Sequence, residues 1–201
     1  GEYKAGRKPA PDDLVVQFPL AREMVSKMGL KCYELAGYEA DDIIGSMVKK
    51  YPDWQINVLS SDKDLLQLID ETTSVWLMKK GLSEIEEMDI EALYARYQLA
   101  PKQIIDLKGL MGDASDNIPG IPKVGEKTAL KLLEQFGSVE NLLANTSELK
   151  GKLKENVEAN AHLALLSKDL ATIRTDFNLP IDIDSLTYEV DVKKIYDFYR
   201  K

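Results

Sequence analysis

Between Glu39 and Tyr51 the apolar residues Ile43, Ile44, Met47 and Val48 recur at helical spacing, which predicts an amphipathic helix. Asp12 and Asp13 can cap an earlier helix that runs to Met28, with Pro19 starting or kinking it and Gly29 ending it. Short apolar runs at 31–36, 54–59 and 73–78 predict strands, with a short helix at 62–69 between the last two. Strands that alternate with helices predict a parallel sheet in an α/β fold. Ligands of such sheets gather beyond the carboxyl ends of the strands, and Asp62 and Asp64 fall there. From Asp89 onward the pattern is helical, over 89–97, 101–111, 125–136, 138–145 and 151–171, with Gly, Pro and Ser between segments. Residues 176–191 are polar, acidic and extended in pattern, and a last helix is predicted at 191–200. No low-complexity tract and no internal repeat interrupts the chain.

The apolar fraction of 44% in 201 residues supports one large domain or two small ones. No run of about 18 apolar residues exists to span a membrane, and no secretory segment opens the sequence. Cys32 is the only cysteine, so no internal disulfide can form, which fits a reducing cytoplasm. Its place in the 31–36 run predicts a small buried strand residue rather than a reactive thiol. His162 is the only histidine, so a His-based triad or a His-rich zinc site has little to build on. The net charge of −8 argues against a generally basic nucleic-acid coat. Acids that bind metal stop being simple repulsive charges, and local basic patches can then still hold phosphates.

Seven carboxylates fall in three clusters at element ends: Glu39, Asp41 and Asp42; Asp62 and Asp64; Asp113 and Asp116. If they meet in space they repel one another, and divalent cations relieve that repulsion. Hard oxygen ligands suit magnesium or manganese. Two such ions about 4 Å apart can clamp the attacking and leaving oxygens of a phosphodiester. Each cluster alone has a plain alternative: acids favouring a helix dipole, a helix cap beside a solvated acid, or loop residues. Three clusters at three element edges are harder to dismiss, and they point to metal-dependent nucleic-acid cleavage.

Gly120-Ile121-Pro122-Lys123-Val124-Gly125-Glu126-Lys127-Thr128-Ala129 lies between two helical runs and reads as a helix–hairpin–helix. Its glycines allow a tight turn whose amides can approach a phosphate, and the next helix N-terminus favours the same anion. Lys123, Lys127 and Lys131 add charge beside it. Such a device reads backbone rather than bases; an ordinary αα-hairpin turn is the alternative. Lys4 and Arg7, taken alone, are solvated surface residues. Tyr3, Tyr33 and Tyr38 could stack on bases, with packing as the default.

Gly37-Tyr38-Glu39-Ala40-Asp41-Asp42, Ser61-Asp62-Lys63-Asp64 and Met111-Gly112-Asp113-Ala114-Ser115-Asp116-Asn117-Ile118-Pro119-Gly120, followed by the hairpin, resemble the 5′-nuclease (flap endonuclease) family over nearly the whole chain. Within it the resemblance is greatest to the 5′–3′ exonuclease domain of bacterial DNA polymerase I, with a free-standing 5′–3′ exonuclease second. The resemblance implies a partial α/β, parallel-sheet (PIN-like) core over 1–95, a helix–hairpin–helix subdomain over 96–172, and a segment over 173–201 that returns to the core. It implies that Glu39, Asp41, Asp42, Asp62, Asp64, Asp113 and Asp116 match metal ligands for two or more magnesium or manganese ions. Tyr3-Lys4-Ala5-Gly6-Arg7 resembles the family's Tyr-Lys-x-x-Arg stretch, with Lys4 on the scissile phosphate and Arg7 stabilising charge near it. It implies DNA binding through Gly120, Ile121, Lys123, Gly125, Lys127, Thr128 and Lys131, with potassium at the hairpin.

The implied substrate is DNA with a free 5′ end, whether flap, nick or branched duplex, and a polymerase domain following in the same chain is an implied partner. One departure stands out: family members begin with about seventy further residues, carrying central strands and two more metal-binding acids. The expectation that follows is a chain with little or no activity alone. The competing readings are a DNA-binding module without catalysis, an Asp-based phosphohydrolase of small molecules, and a structural helical adaptor. Leu65 and Leu66 follow Asp64 where a phosphohydrolase needs an adjacent Ser or Thr, and an adaptor leaves the seven acids unexplained.

Overall fold

Asp12 and Asp13 open α1 (Asp12–Val15), which gives way at Val16 to α2 (Gln17–Lys27) in the computed structural model, which describes residues 9–81 and 83–200. Pro19 is the third residue of α2, where its missing N–H costs no helical bond, so the expected kink becomes a break at Val16, three residues earlier. Tyr3, Lys4 and Arg7 lie outside the described residues. Segment 31–36 is irregular rather than a strand, and Cys32 is exposed, not buried. Lys31 and Glu34 interrupt the apolar run there, and no strand among the described residues pairs with it.

Helix α3 (Ala40–Lys50) begins with a reciprocal cap in which Glu39 and Asp42 each accept the other's backbone N–H. Strands β1 (Ile56–Ser60), β2 (Thr73–Met78) and β3 (Ile85–Met88) form one sheet in that order. β1 and β2 run parallel with Val58 opposite Val75, as the alternation of elements predicts. β3 is an addition: it pairs antiparallel to β2, with Met88 opposite Val75, and makes the sheet mixed. Half of β3 is glutamate, which suits an edge strand and hid it from the apolar pattern. The link from β1 to β2 is a 3-10 turn over Lys63–Leu68 that drops Leu65 and Leu66 into the core.

Beyond the sheet come α4 (Ile90–Tyr97), α5 (Gln103–Met111), α6 (Glu126–Phe136) and α7 (Val139–Ala144). The predicted helix 151–171 is two, α8 (Gly151–Ala159) and α9 (Ala161–Ala171), broken at Asn160, whose side chain turns back onto Asn156. The 176–191 segment carries a 3-10 turn at Ile183–Leu186 instead of a strand, and α10 (Val192–Tyr199) follows it. One apolar core runs from Val75 and Met88 in the sheet through Leu110 of α5 to Val139 of α7.

α5 is the hub of this core, packed on α6 and α9. Its buried Asp106 accepts the N–H of Val139 at 2.9 Å and the ammonium of Lys168 at 2.6 Å. A carboxylate so enclosed is tolerable only because both partners are present. It therefore ties α5, α7 and α9 into one rigid block beneath the hairpin.

Candidate functional site

The first acid cluster sits where α3 begins. Glu39, Asp41 and Asp42 face a cleft whose opposite wall is the segment 169–176. Gly45 makes that approach possible: a Cβ there would lie 2.7 Å from Ile173 Cγ2. The segment is pinned to the acids as well, since the Arg174 N–H donates to Asp42 Oδ1 at 2.8 Å. Asp42 Oδ2 accepts the Glu39 N–H at 3.0 Å, so both of its oxygens have structural work. Asp41 Oδ1 accepts the N–H of Asp42.

The second cluster follows β1, at the carboxyl end of the strand as the sheet geometry predicts. Asp62 caps the 3-10 turn by accepting the Asp64 N–H at 2.9 Å. That cap turns Asp64 inward, and Asp64 lines the same cleft as Glu39, Asp41 and Asp42. The cleft, at about 560 Å³, exceeds many times over the roughly 30 Å³ that one water occupies.

The third cluster belongs to the loop between α5 and α6. Asp113 and Ile118 pair across a small antiparallel bridge, which fixes the 113–118 turn with Asp116 buried inside it. Asp113 is joined to Asp64 by one residue, Lys108, from the last turn of α5. The Lys108 ammonium lies 2.8 Å from Asp64 Oδ1 and also touches Asp113 Oδ2. All three side chains are less than one-fifth exposed.

The two acids respond in opposite ways to this shared cation. Burial, the largest influence, pushes the Asp64 carboxyl up, and the nearby charges of Asp62 and Asp113 add to it. Lys108 offsets them only in part, so Asp64 ends above its ordinary value. Burial also raises Asp113, but Lys108 together with the hydroxyl and N–H of Ser115 overcomes it and holds Asp113 at about 2. Lys108 itself is lowered by burial, then raised further by Asp113 and Asp64, and stays charged across the neutral range.

For Asp113 the sign is that of a depressed acid. Its contribution to stability is complete above 3.8 and disappears as the pH falls through about 2. Asp64 works in the reverse direction, because the fold disfavours its ionised form. Melting the wild type and Asp113→Asn across the acid range should therefore show a steeper loss in the wild type between those two values. Parallel curves would count against the Lys108–Asp113 pair.

The hairpin lies directly after this loop. The Ile121 N–H returns to the Leu110 carbonyl at 2.8 Å, and the Gly120 N–H donates to the buried hydroxyl of Ser167 on α9 at 2.8 Å. Ile121 and Val124 are buried in the core, which leaves Lys123 between them exposed at the rim. Lys123 adopts a left-handed φ of 65°, as a tight turn requires. Gly125, Lys127 and Lys131 are exposed, and Thr128 is half-buried at the start of α6. No side chain caps the N-terminus of α6, so its amides face outward beside the lysines.

The structure thus brings Glu39, Asp41, Asp42 and Asp64 to one cleft and reaches Asp113 through Lys108. Among the described residues, no three carboxylates stand together in a group ready to hold an ion. The donor chemistry nonetheless fits a hard cation. Asp64 Oδ1 is buried and, although 2.8 Å from the ammonium, makes no directional hydrogen bond. Two residues of this site escaped the sequence pattern. Lys108 belongs to none of the motifs, although its neighbours Leu107 and Leu110 mark a buried helix face. Arg174 lies in a tail with no motif; its guanidinium stands 5.0 Å over the Tyr38 ring, which stacks on Phe177.

Known proteins share both halves of this arrangement. Residues 1–98 match the family described as 5′-3′ exonuclease, N-terminal resolvase-like domain. Residues 99–194 match the 5′-3′ exonuclease, C-terminal SAM fold. The chain is 47% identical over 204 residues to DNA polymerase I of Bacillus caldotenax, covering 100% of this chain and 23% of that protein. DNA polymerase I of Bacillus subtilis (strain 168) is 48% identical over 191 residues, 94% of this chain and 22% of that protein. The chain therefore spans about a quarter of the length of these curated relatives. A T5 5′-exonuclease solved with zinc ions bound has a TM-score of 0.74 at 24% identity, over 99% of this chain and 76% of that one. The catalytic core of Rad2 in complex with DNA substrate gives 0.58 at 17% identity, over 94% and 62%. These two likenesses show the fold alone.

Proposed function

This chain belongs to the 5′–3′ exonuclease family, and from that premise we propose that it forms the body of a metal-dependent 5′–3′ exonuclease and flap endonuclease acting on DNA in replication and repair. One observation supports this most: acids from the start of α3 and from the end of β1 share a cleft, and Lys108 links that cleft to the loop leading into the hairpin at 120–125.

In this reading Glu39, Asp41, Asp42, Asp62, Asp64, Asp113 and Asp116 hold two or more magnesium or manganese ions. When bound, such ions polarise the phosphodiester and activate a water for attack. The remaining work falls to the chain's own residues. The backbone amides of Lys123 and Gly125 and the outward amides of α6 take the phosphates of a duplex, with Lys123, Lys127, Thr128 and Lys131 beside them and potassium at the turn, while Gly120 and Ile121 shape that turn through their bonds to Ser167 and Leu110. The rigid block of α5, α7 and α9 keeps that grip at a constant distance from the cleft. Lys4 and Arg7 are assigned to the scissile phosphate by the family resemblance alone. The substrate is DNA with a free 5′ end, the setting is the cytoplasm, and a polymerase domain follows in the same protein.

A second reading, DNA binding without cleavage, draws on the absence of an assembled group of three carboxylates among the described residues. A flap substrate separates the two. Cleavage with magnesium, lost when the 5′ end is blocked by a bulky tag, supports the first reading. Retained binding without any product supports the second.

The hairpin makes a separate prediction. Lys127→Ala should weaken duplex binding severalfold at low salt and reduce the slope of log affinity against log salt by about one. Fluorescence anisotropy over a salt series measures it. An unchanged slope would remove Lys127 from the DNA contact.

A further inference from the structure

We propose that Lys108 is the resident cation of the acid cleft: its ammonium occupies the space between Asp64 and Asp113 until a divalent ion displaces it. The inference rests on the reading above only in taking these acids as metal ligands.

Position is the first argument. Lys108 is the residue that touches an acid from β1's end and an acid from the α5–α6 loop at once. These two carboxylates are far apart in sequence and are brought together under low exposure, where like charges repel strongly. A cation between them is what makes their approach tolerable.

Fit is the second argument. Asp64 Oδ1 is buried and lacks a directional hydrogen bond, although the ammonium lies 2.8 Å away. An ammonium aims three protons and leaves such an oxygen imperfectly served. A spherical hard ion makes no such angular demand and suits carboxylate oxygen better. The carboxylates, meanwhile, form no group of three among the described residues. Closing them around an ion requires the ammonium to leave.

The third argument is the side chain itself. Lysine is a compact charge on a flexible four-carbon stem, so it can swing out without moving α5. α5 is held rigidly through Asp106 and its packing on α9, which confines the exchange to one side chain. Metal entry then swaps one cation for another, and the released ammonium is free to face a phosphate. Lys108 is in this sense a positioning residue that acts through Asp64 and Asp113.

The test is manganese binding, read by calorimetry and by the loss of the free-ion paramagnetic signal. Lys108→Met removes the competing charge and should bind Mn2+ at least about tenfold more tightly than the wild type, whereas Lys108→Arg should show no gain. A lysine with a merely structural role would give equal or weaker binding in Lys108→Met, and that result overturns the inference. The wild type supplies a second readout that does not depend on a variant folding. Acylation of Lys108, followed by mass spectrometry, should speed up severalfold when Mn2+ is added; unchanged or slower labelling overturns the proposal. If no form binds Mn2+, the metal reading of the acids falls with it. If Mn2+ binds equally with and without Lys108, only the role of Lys108 falls.

Discussion

Asp64→Asn is expected to lower metal-dependent DNA cleavage about a thousandfold while leaving duplex binding nearly intact. Asp64 is the acid that both lines the cleft with Glu39, Asp41 and Asp42 and contacts the link to Asp113. Neutralising it removes a full ligand charge from the centre of the set. A bound metal is worth several kcal/mol of transition-state stabilisation, and about 4 kcal/mol corresponds to a thousandfold in rate. The amide keeps the size of the acid and can still accept the Lys108 ammonium, so the turn over Lys63–Leu68 should hold its shape. The hairpin is anchored elsewhere, on Leu110 and Ser167, which is why binding survives. A single-turnover assay beside an anisotropy titration measures both. Equal losses in rate and binding would mean that Asp64 supports the fold rather than the chemistry.

Gly120→Ala should have the largest effect on stability, at least about 3 kcal/mol, or roughly 10 °C in melting temperature. Gly120 has a φ of +60°, which costs an L side chain about 1 kcal/mol by itself. The added Cβ would also stand 2.3 Å from the backbone N of Gly112 and 2.5 Å from the carbonyl carbon of Met111. Backbone cannot step aside as a side chain can, so the loop joining Asp113 to the hairpin must shift. Duplex binding should fall with stability. Gly137→Ala is the matching control: its φ is +78°, yet nothing lies within 4 Å of the new Cβ. It should cost about 1 kcal/mol. Equal losses in the two variants would show that strain alone matters, and not the close passage of two chain segments.

Much of this architecture was legible because local chemistry and tertiary packing agree. Glu39 and Asp42, three apart, cap α3, and of the apolar stripe behind them Val48 is buried and Ile44 packs on the core, while Ile43 and Met47 stay half-buried at an apolar cleft. β1 and β2 are legible as apolar runs, and their parallel pairing follows from the helical turn between them. β3 was not legible, since Glu86 and Glu87 look like solvated charges until β2 supplies a partner. Segment 31–36 failed for the opposite reason: its composition suits a strand, but pairing decides, and it has none among the described residues.

The acids stand out in the sequence as three clusters along the chain. Which of them converge was not legible, because spacing carries no distances. Asp64 and Asp113 are joined by a lysine on a third element, and Asp42 is tied to Arg174 from a tail that has no motif of its own. Such contacts are consequences of packing α5 against the 3-10 turn over Lys63–Leu68 and the 169–176 segment against that turn and α3, and no local window of sequence contains them.

The most direct test of the central claim is hydrolysis of a 5′-flap DNA by the full-length wild-type protein, with magnesium or manganese, and then with a chelator added and afterwards titrated out by fresh metal. Release of the flap that stops with chelator, resumes with metal and is missing in Asp64→Asn is the predicted result. Cleavage that ignores the chelator, or that persists undiminished in Asp64→Asn, would contradict a metal-dependent nuclease built on this cleft.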